Sequence, residues 1–193
     1  WNYFADCLTK CSDTFNANQQ IFGKVYFPRL VVPFSIVISN LIKMGIQFML
    51  FLAVYLWYLF GQGQFAPNAT VLLFPLLILM LGFLGLGFGL LISSMTTKYR
   101  DLRFLVSFGV QLWMYATPII YPLSVMKASY PDKLWVIAAN PLTAIVETFK
   151  YGFTSVGVFE WDYLLYSLGV TVSVMLFGIM VFNRVQKSFM DVI

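Results

Sequence analysis

The densest group of charged side chains is Lys98, Arg100, Asp101 and Arg103, placed directly after an uncharged run from Val71 to Met95. A second basic group lies within FGKVYFPR, Phe22 to Arg29, where Lys24 and Arg29 alternate with Tyr26, Phe27 and Pro28. Glu147 and Lys150 stand three residues apart in a third region, and Lys43 is alone in a long apolar stretch. These groups can pair, dock or move ions, but they contain no nucleophile with its base. The sequence has no histidine, no HExxH and no GxSxG. The Gly23-Lys24 pair is no phosphate loop, because the upstream glycine is missing and Val25 follows the lysine. Cys7 and Cys11 are four apart on one face of an expected helix, and two thiols alone build no zinc site; packing is the expected role. The chain is therefore not expected to be an enzyme by itself, and energy for any work would come from a partner.

The elements that carry these groups are membrane segments. The chain is 60% hydrophobic and 10% charged, against roughly 25% charged in a soluble domain, and its mean hydropathy is +0.82. Val71 to Met95 exceeds the ~20 residues that cross ~30 Å of hydrocarbon. The runs are long and continuous, which favours helices over the alternating ~10-residue strands of an outer-membrane barrel. The net charge of +4 is spread along the chain without a basic soluble face, so no nucleic-acid partner is expected. Residue 1 is Trp and no cleavable signal is visible; the N-terminus is expected to be missing.

Trp1 to Gln20 is amphipathic, with Phe4, Leu8, Cys11 and Phe15 on one stripe and Asp6, Lys10 and Asp13 on another. Asp6 and Lys10 are spaced for an i,i+4 pair. Hydropathy leaves two readings, an interfacial helix or the end of a polar-faced membrane helix. Val31 to Phe60 is a span whose far end carries Trp57 and Tyr58, as in an interfacial aromatic belt. Lys43 then sits ~9 Å inside the inner boundary at 1.5 Å per residue. It either snorkels outward or stands in a translocation path. Asn40 and Gln47 extend its stripe and predict a protein-facing side.

Gly61 to Thr70 forms a turn-rich loop, and its Asn68-Ala69-Thr70 sequon is read as chance. In Val71 to Met95, Gly85, Gly89 and Ser93 make a small-residue face for close packing. Phe104 to Tyr121 is the next crossing, with Phe104, Phe108, Gln111 and Tyr115 on one face; that face either lines a path or packs against helices and lipid. Leu134 to Ala139 and Pro141 to Phe153 are too short to span and suit re-entrant or interfacial helices. Asn140 is placed to cap the second and Pro141 to occupy its first turn. Glu147 either pairs with Lys150 or faces a cavity. Leu164 to Phe182 is the last span, and Asn183 to Ile193 a short tail. Lys24, Arg29, Lys98, Arg100, Arg103, Arg184 and Lys187 then fall on one side. Lys127, Lys133 and Lys150 lie among Asp132, Glu147, Glu160 and Asp162 on the other. The asymmetry makes the first side cytoplasmic.

Four segments occur in order: KVYFPRLVVPFS (24–35), YRDLRF (99–104), TPIIYP (117–122) and NPLTAIVETFKYG (140–152). Together with the spans between them they make the chain resemble the membrane subunit of ABC-2-type polysaccharide exporters, which export O-antigen, capsule and teichoic acid chains. The resemblance covers almost the whole chain. It implies an all-α integral membrane bundle of six spans, preceded by an amphipathic interface helix, with short re-entrant helices before the last span. On that template residues 1–193 are a single, N-terminally incomplete transmembrane domain lacking the interface helix and first span. Trp1 to Gln20 then becomes the end of the second span.

The resemblance also implies a homodimer of permeases joined to two ATPase subunits that bind ATP and Mg, with no cofactor in this chain. The location it implies is multi-pass in the bacterial cytoplasmic (inner) membrane, among membrane lipids. Lys24, Tyr26, Phe27, Pro28 and Arg29 resemble the segment that docks on the ATPase, and Tyr99, Arg100, Asp101 and Arg103 a second contact; the alternative for each is anchoring at lipid headgroups. A lipid-linked glycan would cross between the permeases. Phe108, Gln111, Trp113, Tyr115 and Tyr121 are the expected path residues, because sugar C–H faces stack on rings while hydroxyls need polar groups. Trp113 lies off the Phe108–Tyr115 stripe and can instead face a neighbouring helix. Asn140, Pro141, Glu147 and Lys150 mark the re-entrant region. The rival expectations are an ABC-2 exporter of drugs or lipids, a secondary transporter coupled to ions at Lys43 or Glu147, and a non-transporting membrane anchor.

Overall fold

The computed structural model describes residues 1–22, 27–62, 67–96, 99, 101–121, 123 and 134–190. Among these the regular structure is helical: α1 (Asn2–Ser12), α2 (Thr14–Ala17), α3 (Gln19–Phe22), α4 (Val31–Gln62), a 3-10 turn (Ala69–Leu73), α5 (Phe74–Thr96), α6 (Leu102–Ala116), α7 (Leu134–Ala138), α8 (Pro141–Thr154) and α9 (Trp161–Met190). Three helices are long and apolar enough to cross a membrane, over Val31–Gly61, Ala69–Thr96 and Trp161–Gln186. They coincide with three of the expected spans. The chain divides into two compact units, one of residues 1–43, 82–111 and 171–193, the other of residues 44–81 and 112–170.

In the first unit the stripe expected over Trp1 to Gln20 is buried: Phe4, Leu8, Cys11 and Phe15 are all essentially inaccessible. Trp1 to Gln20 is nevertheless not one helix. It breaks at Asp13, which adopts φ −101°, ψ 8°, and at Asn18, whose Nδ2 donates to the Thr14 carbonyl at 3.0 Å. Short polar side chains that compete for backbone groups favour such breaks. Both cysteines are free and buried, consistent with packing. The core joins Cys11, Phe15, Phe22, Leu86, Leu90 and Phe182, with Phe15 stacked on Phe182 at 4.6 Å.

Small residues set the helix spacing there. A Cβ on Gly85 would lie 2.9 Å from Cys7 Cβ, and one on Gly89 would overlap Cys11 Cβ. Ser93, the third member of that face, is fully buried. The opposite side of α5 meets α9 backbone to backbone, since a Cβ on Gly178 would lie 2.6 Å from the Gly87 carbonyl oxygen. Side-chain-free contact of this kind brings apolar helices together when water expulsion offers little.

In the second unit Leu77, Met80, Ile145 and Leu164 form the core. An aromatic group of Phe48, Phe51, Tyr55, Phe74, Phe149 and Phe153 ties α4 and α5 to α8; Phe48 stacks on Phe74 at 4.1 Å, and Tyr55 donates to the Phe153 carbonyl at 2.8 Å. Gly152 lets α8 approach the 3-10 turn, where the Asn68 N–H donates to its carbonyl at 2.9 Å; a Cβ would stand 3.2 Å from Val71 N.

Two expected elements differ. The crossing expected over Phe104 to Tyr121 is α6, which ends at Ala116. Its length, ~22 Å at 1.5 Å per residue, falls short of the ~30 Å hydrocarbon layer. Pro118 disfavours helical backbone at Thr117, and the chain turns there. The last span is expected to end at Phe182, and α9 runs on as helix through the start of the expected tail to Met190.

Candidate functional site

The basic-aromatic segments belong to the first unit. Lys24, Tyr26, Arg100 and Lys98 lie outside the described residues. Pro28 is exposed and Phe27 half-buried beside Phe22, with ring centres 5.8 Å apart. Arg29 is buried at 6% exposure. Its guanidinium donates to the Gln186 carbonyl at 3.5 Å and lies over the Phe22 ring at 5.4 Å. It thus anchors the segment to α9. Tyr99 and Asp101 are exposed, and Asp101 stands just before α6, where a negative charge complements the helix dipole. Arg103 reaches Asp13 Oδ2 at 3.2 Å.

The expected path residues part company. In the first unit Phe108 and Gln111 are exposed, and in the second Tyr115 is exposed. Trp113 and Tyr121, also in the second unit, line an open groove of about 460 Å³ with Ala116, Ile137, Ala139, Asn140 and Pro141. Trp113 therefore faces the α7–α8 junction rather than the Tyr115 side, the alternative its position off the stripe allowed.

Asn140 is the hub of that groove. Its Oδ1 accepts from the Leu142 N–H at 3.1 Å, the expected cap of α8. The same oxygen accepts from Trp113 Nε1 at 3.3 Å. Its Nδ2 donates to Thr117 Oγ1 at 2.9 Å and to the Ala116 carbonyl at 3.5 Å. Two turns along α8 from Asn140, Glu147 is 3% exposed. Both alternatives for it hold together: Oε1 is 3.4 Å from Lys150 Nζ, and the side chain borders a cavity of about 50 Å³ with Thr143, Thr148, Glu160 and Tyr163. Lys150 also donates to the Pro118 carbonyl. Beyond α8, Ser155 turns left-handed at φ 56° and Gly157 follows at φ 129°. A side chain at Gly157 would crowd Glu147 Oε2, 3.1 Å from the added Cβ.

Lys43 and Asp6 were expected to act apart, and here they bond to each other. Lys43 Nζ lies 2.5 Å from Asp6 Oδ2, while Lys10 donates to Asn40 Oδ1 at 2.7 Å. The Asp6–Lys10 pair of the helix-spacing rule does not form, because each partner finds a group on α4. Asn40 is buried as expected, but Gln47 is exposed. The signal that was present in the sequence is that an intramembrane lysine needs a partner, and Asp6 lies on a stripe facing the same way.

A bundle of long apolar helices with charges confined to pairs and ends defines a multi-pass membrane protein. The chain belongs to the ABC-2 type transporter family, whose model matches residues 7–154. It is 30% identical over 196 residues to the O-antigen export system permease protein RfbA of Klebsiella pneumoniae, covering 100% of this chain and 71% of that protein. A second Klebsiella pneumoniae permease of the same name is 29% identical over the same shares. The Myxococcus xanthus protein of that name is 28% identical over 150 residues, 78% of this chain and 55% of that one.

Proposed function

We propose that the chain is the membrane-spanning permease of an ABC exporter that carries lipid-linked polysaccharide of the O-antigen kind across the bacterial cytoplasmic membrane. The observation that carries this is similarity, over the whole of this chain and 71% of theirs, to permeases named for O-antigen export. A separate ATPase subunit binds ATP and Mg and supplies the energy; the permease itself transports and is not an enzyme. Two permeases pair, and the polysaccharide passes between them.

Within this reading the exposed Tyr99 and Asp101, with Lys24, Tyr26, Arg100 and Arg103, meet the ATPase. Arg29 acts one step behind, holding Phe27 and Pro28 in place through Gln186 and Phe22. The rings of Phe108, Trp113, Tyr115 and Tyr121 give sugar C–H faces a surface to slide over, and Gln111 offers an amide to hydroxyls. Stacking is sequence-tolerant and shallow in energy, which suits a long polymer that must keep moving.

Deletion of the gene tests the proposal. Surface polysaccharide should vanish while lipid-linked chains accumulate inside, and the full-length gene should restore export. Unchanged surface polysaccharide in the deletion strain contradicts it.

A further inference from the structure

Of the α6 residues only Val110 is buried. Beside the bonds of Thr117 to the Trp113 and Met114 carbonyls of its own helix, the C-terminal turn is held by polar side chains of one neighbour. Asn140 donates to the Ala116 carbonyl and to Thr117 Oγ1, and Lys150 donates to the Pro118 carbonyl. Three consecutive residues are thus fixed by two side chains of the α8 segment. Each side chain has further partners. Asn140 is pinned by the cap bond from Leu142 and by the Trp113 indole, and Lys150 by the buried Glu147 carboxylate. Thr117 is fully buried, so its bond from Asn140 is not readily exchanged for one to water.

We infer that Asn140 and Lys150 are positioning residues that staple the end of α6 to α8, so that displacement of α6 carries α8 with it. The inference rests on the export reading for its purpose: a helix leading away from the Tyr99–Arg103 segment would pass its movement to the re-entrant region. Glu147 serves by holding Lys150 in reach of Pro118. Two bonded helices respond as one body because the alternative leaves the buried Thr117 hydroxyl and Pro118 carbonyl without these partners.

The test uses the full-length permease with its ATPase in proteoliposomes loaded with lipid-linked polysaccharide from the producing strain. Export per ATP hydrolysed is measured beside amide exchange over residues 114–121. Lys150→Met should lower export per ATP at least fivefold, and Lys150→Arg should recover most of it. Glu147→Gln combined with Lys150→Met removes the uncompensated buried charge, so protein yield returns, yet export per ATP stays low because Pro118 remains unheld. Amide exchange at the turn should rise at least tenfold in both methionine variants. Wild-type export per ATP in the double variant, or unchanged exchange, overturns the staple. The exchange measurement stands even if the wild-type complex moves no polysaccharide, an outcome that would sink the export reading alone.

Discussion

Lys43 Nζ and Asp6 Oδ2 lie 2.5 Å apart, joining α4 to α1 beside the Lys10–Asn40 bond. A charge within a membrane helix costs free energy when unpaired, up to roughly 2.5–3.5 kcal/mol at the helix centre and less towards its ends. Here the cation and the carboxylate offset each other, and the two bonds fix how α1 lies along the first part of α4.

Removing one charge of that pair should therefore hurt more than removing both. Asp6→Asn is expected to lower the thermal unfolding midpoint of the detergent-purified protein by several degrees, and Asp6→Asn with Lys43→Met to recover most of the loss. The double variant should still export in an ATP-driven assay. Loss of transport by a well-folded double variant would point to an ion-coupled role for Lys43 instead.

The glycine contacts divide into crowded and open sites. Gly178→Ala puts a methyl against the Gly87 carbonyl and Gly85→Ala against Cys7. Each should destabilise by about 1–3 kcal/mol through overpacking, read by denaturant unfolding. Gly45→Ala and Gly109→Ala meet open space and should be neutral or slightly stabilising. Equal effects in the two sets would mean that α1, α5 and α9 do not approach as described.

The long spans, the buried face of α1, the glycine seam and the Asn140 cap were legible because each follows from local spacing: apolar length, a 3.6-residue stripe, small residues four apart, an Asn-Pro pair. What spacing could not supply is a partner. Asp6 satisfied the i,i+4 rule with Lys10, but a lysine thirty-seven residues on outcompetes it. Arg29 read as a surface cation, yet an aromatic neighbour and the Gln186 carbonyl near the end of α9 draw it inside. The length of α6 was misjudged because apolar residues continue past the point where Pro118 stops the helix. The Phe48–Phe153 cluster was invisible for the same reason as the ion pair, since its members come from three separate segments.

Arg29→Ala should cost about 2 kcal/mol, from a hydrogen bond by a charged donor and a cation–π contact. Arg29→Lys should recover little, because a single ammonium cannot lie over the Phe22 ring and reach the Gln186 carbonyl at once. Unfolding in denaturant reads both. Full stability in Arg29→Ala would return this side chain to the surface.

Arg103 has two candidate duties, the bond to Asp13 and contact with the ATPase. Arg100→Glu with Arg103→Glu should uncouple ATP hydrolysis from export. Adding Asp13→Arg rebuilds the pair with its charges exchanged, and should restore stability without restoring coupling. Recovery of export by the exchange would confine Arg103 to the internal pair.

The most direct measurement of the central claim is ATP-driven movement of lipid-linked polysaccharide by the full-length permease and its ATPase in sealed proteoliposomes. The account predicts a stable complex whose hydrolysis rises with the polysaccharide and whose export stops without ATP. A permease that forms no complex with the ATPase, or that transports on an ion gradient alone, would contradict it.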